Sequence, residues 1–299
     1  MHHHKYRLII PFLLPATILY GVFVVYPYVQ AMLISFTDWR GLSNRRPYVG
    51  MENYRDLWED ERFREALTRN GQLLVTLPLV TIAIALIFAS LFAQGGGAVG
   101  GASFYRIVFF FPQVMPVVVV GILWSYIYSP NSGLLNGVLR GIGLESAGRT
   151  SWLTDAGTVL WAVVAVTIWS SVGFYMVIFL AAMQSIPTSF YEAAILDGAS
   201  RWTSFRDITF PLIWESVRTS LIYLAIAALD FFILITVLAG GSTTTGARRA
   251  EVAALYLYNQ AFERSRWGYA SAIGVVLLIL TLLLSVVIMR VTRRETYEF

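Results

Sequence analysis

Tyr191-Glu192-Ala193-Ala194-Ile195-Leu196-Asp197-Gly198, then nine residues, then Ile208-Thr209-Phe210-Pro211: this stretch, set between two long apolar runs, decides the fold. Pro187 and Thr188 open a short helix, and Ser189 with Glu192 has the spacing of a capping box. Gly198 suits a left-handed C-terminal cap, which ends the helix in a sharp turn. A second short helix over about 202–208 then leads to Pro211 and back into apolar sequence. Ala193 and Ala194 offer a small-side-chain surface that another backbone can approach closely. Glu192 and Asp197 offer carboxylates to arginines or backbone donors of a partner. An element this short and stiff, joined directly to apolar helices on both sides, can pass a push from a soluble partner into them.

Working outward, the flanking runs are long enough to cross a bilayer, which needs roughly 20 mostly apolar residues. Six stretches qualify: 7–36, 70–93, 107–128, 158–183, 217–238 and 268–289. Pro11, Pro15 and Pro27 predict a kink or tilt in the first, which is too long for a removed signal peptide and lacks a small-residue cleavage site. Composition agrees. Of 299 residues 57% are hydrophobic and 13% charged, against about 25% charged in an ordinary soluble domain, and mean hydropathy is +0.64. The reading is an all-α integral membrane protein of about six transmembrane helices, one membrane domain over residues 1–299. The connection expected on the cytoplasmic side is about 184–216.

The connections carry less. Residues 38–69 mix charges with Tyr54, Trp58 and Phe63 and read as an amphipathic interfacial helix; 94–106, with Gly95-Gly96-Gly97 and Gly100-Gly101, reads as a turn. No Gly-Lys-Ser/Thr follows those glycines, so they are a turn and not a phosphate cradle. Residues 129–157 form a polar loop opening at Pro130-Asn131-Ser132-Gly133. There is no cysteine, and the three histidines, at positions 2–4, are set aside as a terminal run that a tag would also leave. The net charge of +4 reports loops and orientation and gives no sign of a nucleic-acid partner.

Orientation pits two signals against each other. Six spans put both termini on the side of the 184–216 loop, and that side carries nine basic residues against thirteen on the other. The excess of arginine on the cytoplasmic side that membrane proteins show would then place the termini outside. Seven of the thirteen, however, lie in one loop beside seven acids. The expectation of termini in the cytoplasm rests instead on what the 184–216 element resembles.

The spacing of that element resembles the "EAA, three residues, G, nine residues, I-x-L-P" loop of the permeases of ABC importers, with Phe210 in place of leucine. Tyr26-Pro27, Ser35-Phe36-Thr37-Asp38-Trp39 and Tyr48-Val49-Gly50-Met51-Glu52-Asn53-Tyr54 are similar to the first span and first external loop of sugar permeases of the maltose-transporter type. Gly240-Gly241, Tyr258, Ala261-Phe262 and Gly268-Tyr269-Ala270 resemble their last external loop, in the "F-like" subunit. Ser242 departs from the usual proline. The resemblance implies the type I ABC importer permease fold and a coupling role for Tyr191, Glu192, Ala193, Ala194, Asp197, Gly198, Ile208 and Pro211. It implies a second permease subunit, two cytoplasmic ATPases holding ATP and Mg, an external solute-binding protein, and a sugar as cargo. It also implies a prokaryotic cell membrane location and no catalytic site or cofactor on this chain.

Asp230 is the one acid well inside an expected span. A charge at that depth costs about 2.5–3.5 kcal/mol on insertion scales and usually faces a bundle interior or cavity. By resemblance Asp230, Phe231, Trp169, Ser170, Ser171 and Phe174 fall along the substrate path, with Gln113 and Trp124 as further candidates. Sugars suit such groups, stacking ring faces on aromatics and pairing hydroxyls with carboxylates. A structural bond to a neighbouring helix is the alternative for Asp230, and lipid-facing packing for the aromatics. An intramembrane enzyme needs paired acid, base or metal-ligand groups at depth. One aspartate with no histidine or cysteine does not supply them. A self-sufficient channel or secondary carrier would have no need of a docking loop, and the repeated halves of many carriers are not seen in this sequence.

Overall fold

The computed structural model describes residues 3–41, 45–94, 102–241 and 244–293. The expected glycine turn and Ser242 lie outside these, apart from the residues flanking them. Among the described residues the chain is helical throughout, with one isolated bridge between Thr37 and Tyr48. Four helices among the described residues are long and apolar enough to cross a membrane, or up to six spans result if each of two bent helix pairs counts as one. The residues group into two compact units, Met1–Arg64 with Tyr256–Ile279, and Glu65–Leu255 with Leu280–Phe299.

In the first unit, span one is helical from His3 to Ile34, with a π turn at Gly21–Val25 just before Pro27. Proline has no N–H to continue the ladder, and a π turn absorbs the mismatch. The side-chain amide of buried Asn53 donates to the carbonyls of Ser35 (2.8 Å) and Thr37 (3.0 Å), tying the loop helix Glu52–Glu59 back to the end of the span. The interfacial helix expected over 38–69 is thus only eight residues long, and the next helix begins at Glu61, nine residues before the expected start of span two. Asp60 causes both. Its backbone is extended, ending one helix, and its carboxylate accepts from the N–H groups of Arg62 (2.9 Å) and Phe63 (3.3 Å), starting the next. The hydroxyls of Tyr256 and Tyr269 also donate to it. Burial pushes the Asp60 carboxyl up, but these four donors outweigh it and hold it below the ordinary carboxylate value. Burial first, and then the same carboxylate, push the Tyr256 phenol up to about 12.

The second unit is organised around span four, Val159–Gln184, buried along much of its length. Helix Ala102–Val114 packs on it where Gly173 leaves room: a Cβ there would lie 1.8 Å from the carbonyl oxygen of Phe109. Two expected spans are broken. Span three is two helices, Ala102–Val114 and Val117–Ile127, meeting at 100°. Pro116 lacks an N–H and pushes Met115 out of the helical region. Span five is helical over Trp214–Leu229, unwinds at residues 230–232, and resumes over Ile233–Leu238. The uninterrupted helix expected over 217–238 is therefore corrected, and Asp230 is the residue at which it ends.

Candidate functional site

The 184–216 loop folds as a two-armed elbow. Its first arm is the helix Thr188–Leu196. The expected capping box does not form, because Pro187 takes the N-cap position and leaves Ser189 inside the first turn. The C-terminal end follows expectation. Gly198 has φ +76°, its N–H bonds the carbonyl of Ile195 (3.0 Å), and that of Ala199 bonds the carbonyl of Ala194 (2.9 Å). Those two bonds make a Schellman motif, which satisfies the last carbonyls without outside help. The second arm, Arg201–Ser204, starts on Ser200, whose hydroxyl accepts the N–H of Thr203 at 3.1 Å. A π turn, Phe205–Thr209, carries Ile208, and Pro211 lies in the short helix Phe210–Leu212 that leads into span five. The hydroxyls of Tyr191 and Thr209, 3.0 Å apart, pin the arms to each other over a cavity of about 450 Å³. At the root of span five the Trp214 indole donates to the carbonyl of Thr292 (2.8 Å) and Arg218 to that of Met289 (3.2 Å).

Glu192, Ala193 and Asp197 are exposed as a docking surface requires. Ala194 does not join them: it is 8% exposed. The small surface open to a partner is Ala193 alone. Sequence reasoning missed the apolar tip, Ile195 (70% exposed), Leu196 (88%) and Trp202 (69%). The signal was present, since two large aliphatic residues stand side by side at the end of a helix that closes on Asp197 and Gly198.

The path candidates divide. Phe174 lines a cleft of about 550 Å³ with Tyr223, Glu215, Ser216, Thr219 and Ser220, an aromatic and hydroxyl-rich lining. Glu215 also pairs with Arg218 at 3.0 Å. Trp169 stacks edge-on against Trp124, ring centroids 5.3 Å apart, and away from that cleft. The hydroxyls of Ser170 and Ser171 both donate to the carbonyl of Thr167 on their own helix. Phe231 packs against the buried cluster that contains Val163, Val166 and Ile235. Gln113 is exposed. Asp230 is exposed at the break of span five, whose last helical carbonyls are taken by Asn70: its amide donates to Ala228 at 2.7 Å and lies 3.5 Å from the carbonyl of Leu229. The candidates thus form no single constellation. The cleft-lining residues of span five and Asn70 were not singled out from the sequence.

The elbow joins spans four and five, span five is broken at Asp230, and a cleft lies between those two spans. The sequence profile of the family described as "binding-protein-dependent transport system inner membrane component" matches residues 101–296. The chain belongs to that family. The permease is 41% identical over 286 residues to the diacetylchitobiose uptake system permease protein NgcF of Streptomyces coelicolor, covering 92% of this chain and 79% of that one. It is 31% identical to the multiple sugar-binding transport system permease protein MsmF of Streptococcus mutans, over 95% and 94% of the two chains. Its fold is shared with a chain of a bacterial ABC transporter that imports the acidic polysaccharide alginate, with TM-score 0.85, 24% identity and 98% of each chain covered. The permease is accordingly a multi-pass inner-membrane transport component and not a catalytic enzyme.

Proposed function

We propose that this permease carries an oligosaccharide, most specifically an amino-sugar disaccharide, across the membrane in a complex with a second permease, two cytoplasmic ATPases and an external solute-binding protein. The elbow carries the reading: a helix with its own ends satisfied, projecting charged and apolar side chains from between two spans, has the build of a grip for a separate motor. ATP and Mg bind on the motor subunits, and this chain holds neither. Closure of the ATPases pulls on Glu192–Gly198, tips spans four and five, and opens the path outward to the docked binding protein. Acting as one membrane domain over 1–299, the permease keeps both termini in the cytoplasm. The amino-sugar reading draws on the 41% identity to a diacetylchitobiose permease. The cleft beside Phe174 fits it, with a ring face to stack on and several hydroxyls to meet those of a sugar.

A single cysteine at 195, in a chain that has none of its own, tests the arrangement. Ile195→Cys is expected to crosslink to the ATPase and to resist an impermeant thiol reagent applied outside intact cells. Labelling from the external face alone would reverse the topology and remove the motor from the elbow.

A further inference from the structure

Asn70 stands just before the apolar run of the helix Glu61–Gln94, is 1% exposed, and spends its whole side chain on backbone from two remote segments. Its amide nitrogen donates to Ala228 (2.7 Å), with Leu229 at 3.5 Å, and its amide oxygen accepts from the N–H of Ala253 at 2.8 Å. The neighbouring Arg69 donates to the carbonyl of Glu251 at 3.1 Å. Residues 69 and 70 together therefore fasten the 251–253 segment, in which Val252 and Ala253 are fully buried. Ala228 and Leu229 would bond to residues 232 and 233 if span five ran on as a helix. The unwinding at 230–232 takes those partners away, and a carbonyl as buried as those of Ala228 (0% exposed) and Leu229 (8%) must find another inside the protein. Asn70 is that partner.

The inner half of span five runs from the elbow to this point over sixteen residues, about 24 Å at 1.5 Å per residue. Its root is fastened to the helix of span six through Trp214 and Arg218, and its far end is fastened by Asn70. Asp230 is the first residue beyond. A lever held at its tip by one side chain, fixed in turn to a buried segment, turns rather than slides. We propose that Asn70 is a positioning residue for transport: it pins the broken end of span five, so that movement of the elbow is delivered as a change in the placement of Asp230 and of the cleft wall beneath it. This rests on the reading of that cleft as the substrate path.

The test uses the whole transporter assembled in membrane with its partner subunits, and a single cysteine at Ala227, which lines the cleft one turn before the break. The rate of modification by a water-soluble maleimide is compared without nucleotide and with ATP plus vanadate. With Asn70 present the two rates should differ at least fivefold. In Asn70→Leu, close in volume but without donor or acceptor, and in the milder Asn70→Ser, they should differ less than twofold while the chain still assembles and ATP is still hydrolysed. An assembled variant that keeps the native difference overturns the proposal. So does failure of both variants to assemble, because Asn70 would then serve folding alone. If the rates already agree with Asn70 in place, the cleft reading itself is what fails.

Discussion

The elbow and the break in span five both interrupt a helix, and they solve the same problem in opposite ways. The elbow closes each interruption on itself: a Schellman turn at Gly198, a serine cap at Ser200 and a hydroxyl pair between Tyr191 and Thr209. Its backbone needs nothing from the rest of the protein, so it can project into water and keep its shape under load. The break exports its unpaired carbonyls to Asn70 on another helix. It is held by the tertiary structure and moves when that structure moves. Self-sufficient turns transmit force; borrowed ones respond to it.

The largest effect that follows is at the elbow. Glu192→Lys combined with Gly198→Val reverses the exposed charge and places a β-branched side chain at φ +76°. Left-handed backbone costs a non-glycine residue about 1–2 kcal/mol, enough to distort a turn but not a bundle of spans. Uptake should fall more than tenfold and the ATPase should no longer co-purify, while the amount of chain in the membrane stays near native. Co-purification at the native ratio would remove the elbow from the motor contact.

A smaller and different loss is expected at the break. Asp230→Leu leaves the bonds from Asn70 to backbone intact and removes the carboxylate. The complex should assemble normally, with the apparent affinity for transported sugar weakened about tenfold, as is reasonable for a lost charged hydrogen bond. Unchanged affinity and rate in a transport assay would leave Asp230 with a structural part only.

The same contrast explains what could be read from the sequence. The elbow was legible because its signals are local: Pro187 fixes the start, Gly198 the turn and Pro211 the return, each through its own backbone limits. The orientation of Ala194 was not, since helix phase depends on where Pro187 sets the first turn. Prolines could have shown the break in span three at Pro116, but it lies in a run of valines long enough to pass for one helix. The break at Asp230 has no local signal at all. Leu229-Asp230-Phe231-Phe232 contains neither glycine nor proline, and the side chain that makes unwinding tolerable is 158 residues away. Asn70 was taken as the edge of span two because a polar residue bounding an apolar run usually lies near water.

A third interruption sharpens the comparison, because the side chain that organises it is less buried. Between Glu59 and Glu61 the chain breaks outside the membrane span, and the side chain that organises it is a carboxylate, Asp60, accepting from two tyrosines and two backbone N–H groups. Asn70 is 1% exposed, where an uncompensated charge is expensive, so a neutral amide does the equivalent work; Asp60 is only half-buried, and there the charge is tolerable and adds strength to each bond. The two breaks should therefore differ in acid. Because the folded protein holds the Asp60 carboxyl below its ordinary value, this contribution is complete above the ordinary carboxylate range, near pH 4, and is lost as pH falls through the folded value. Asp60→Asn should lower the midpoint of thermal unfolding by a few degrees at pH 7, and the gap to the native chain should close as the pH approaches 3. Asn70→Ser should lower the midpoint by the same amount at both pH values, since no ionisation is involved. A gap at Asp60 that does not change with pH would mean the tyrosine hydroxyls bind an uncharged carboxyl as well as a charged one, and burial would no longer explain why the two breaks use different side chains.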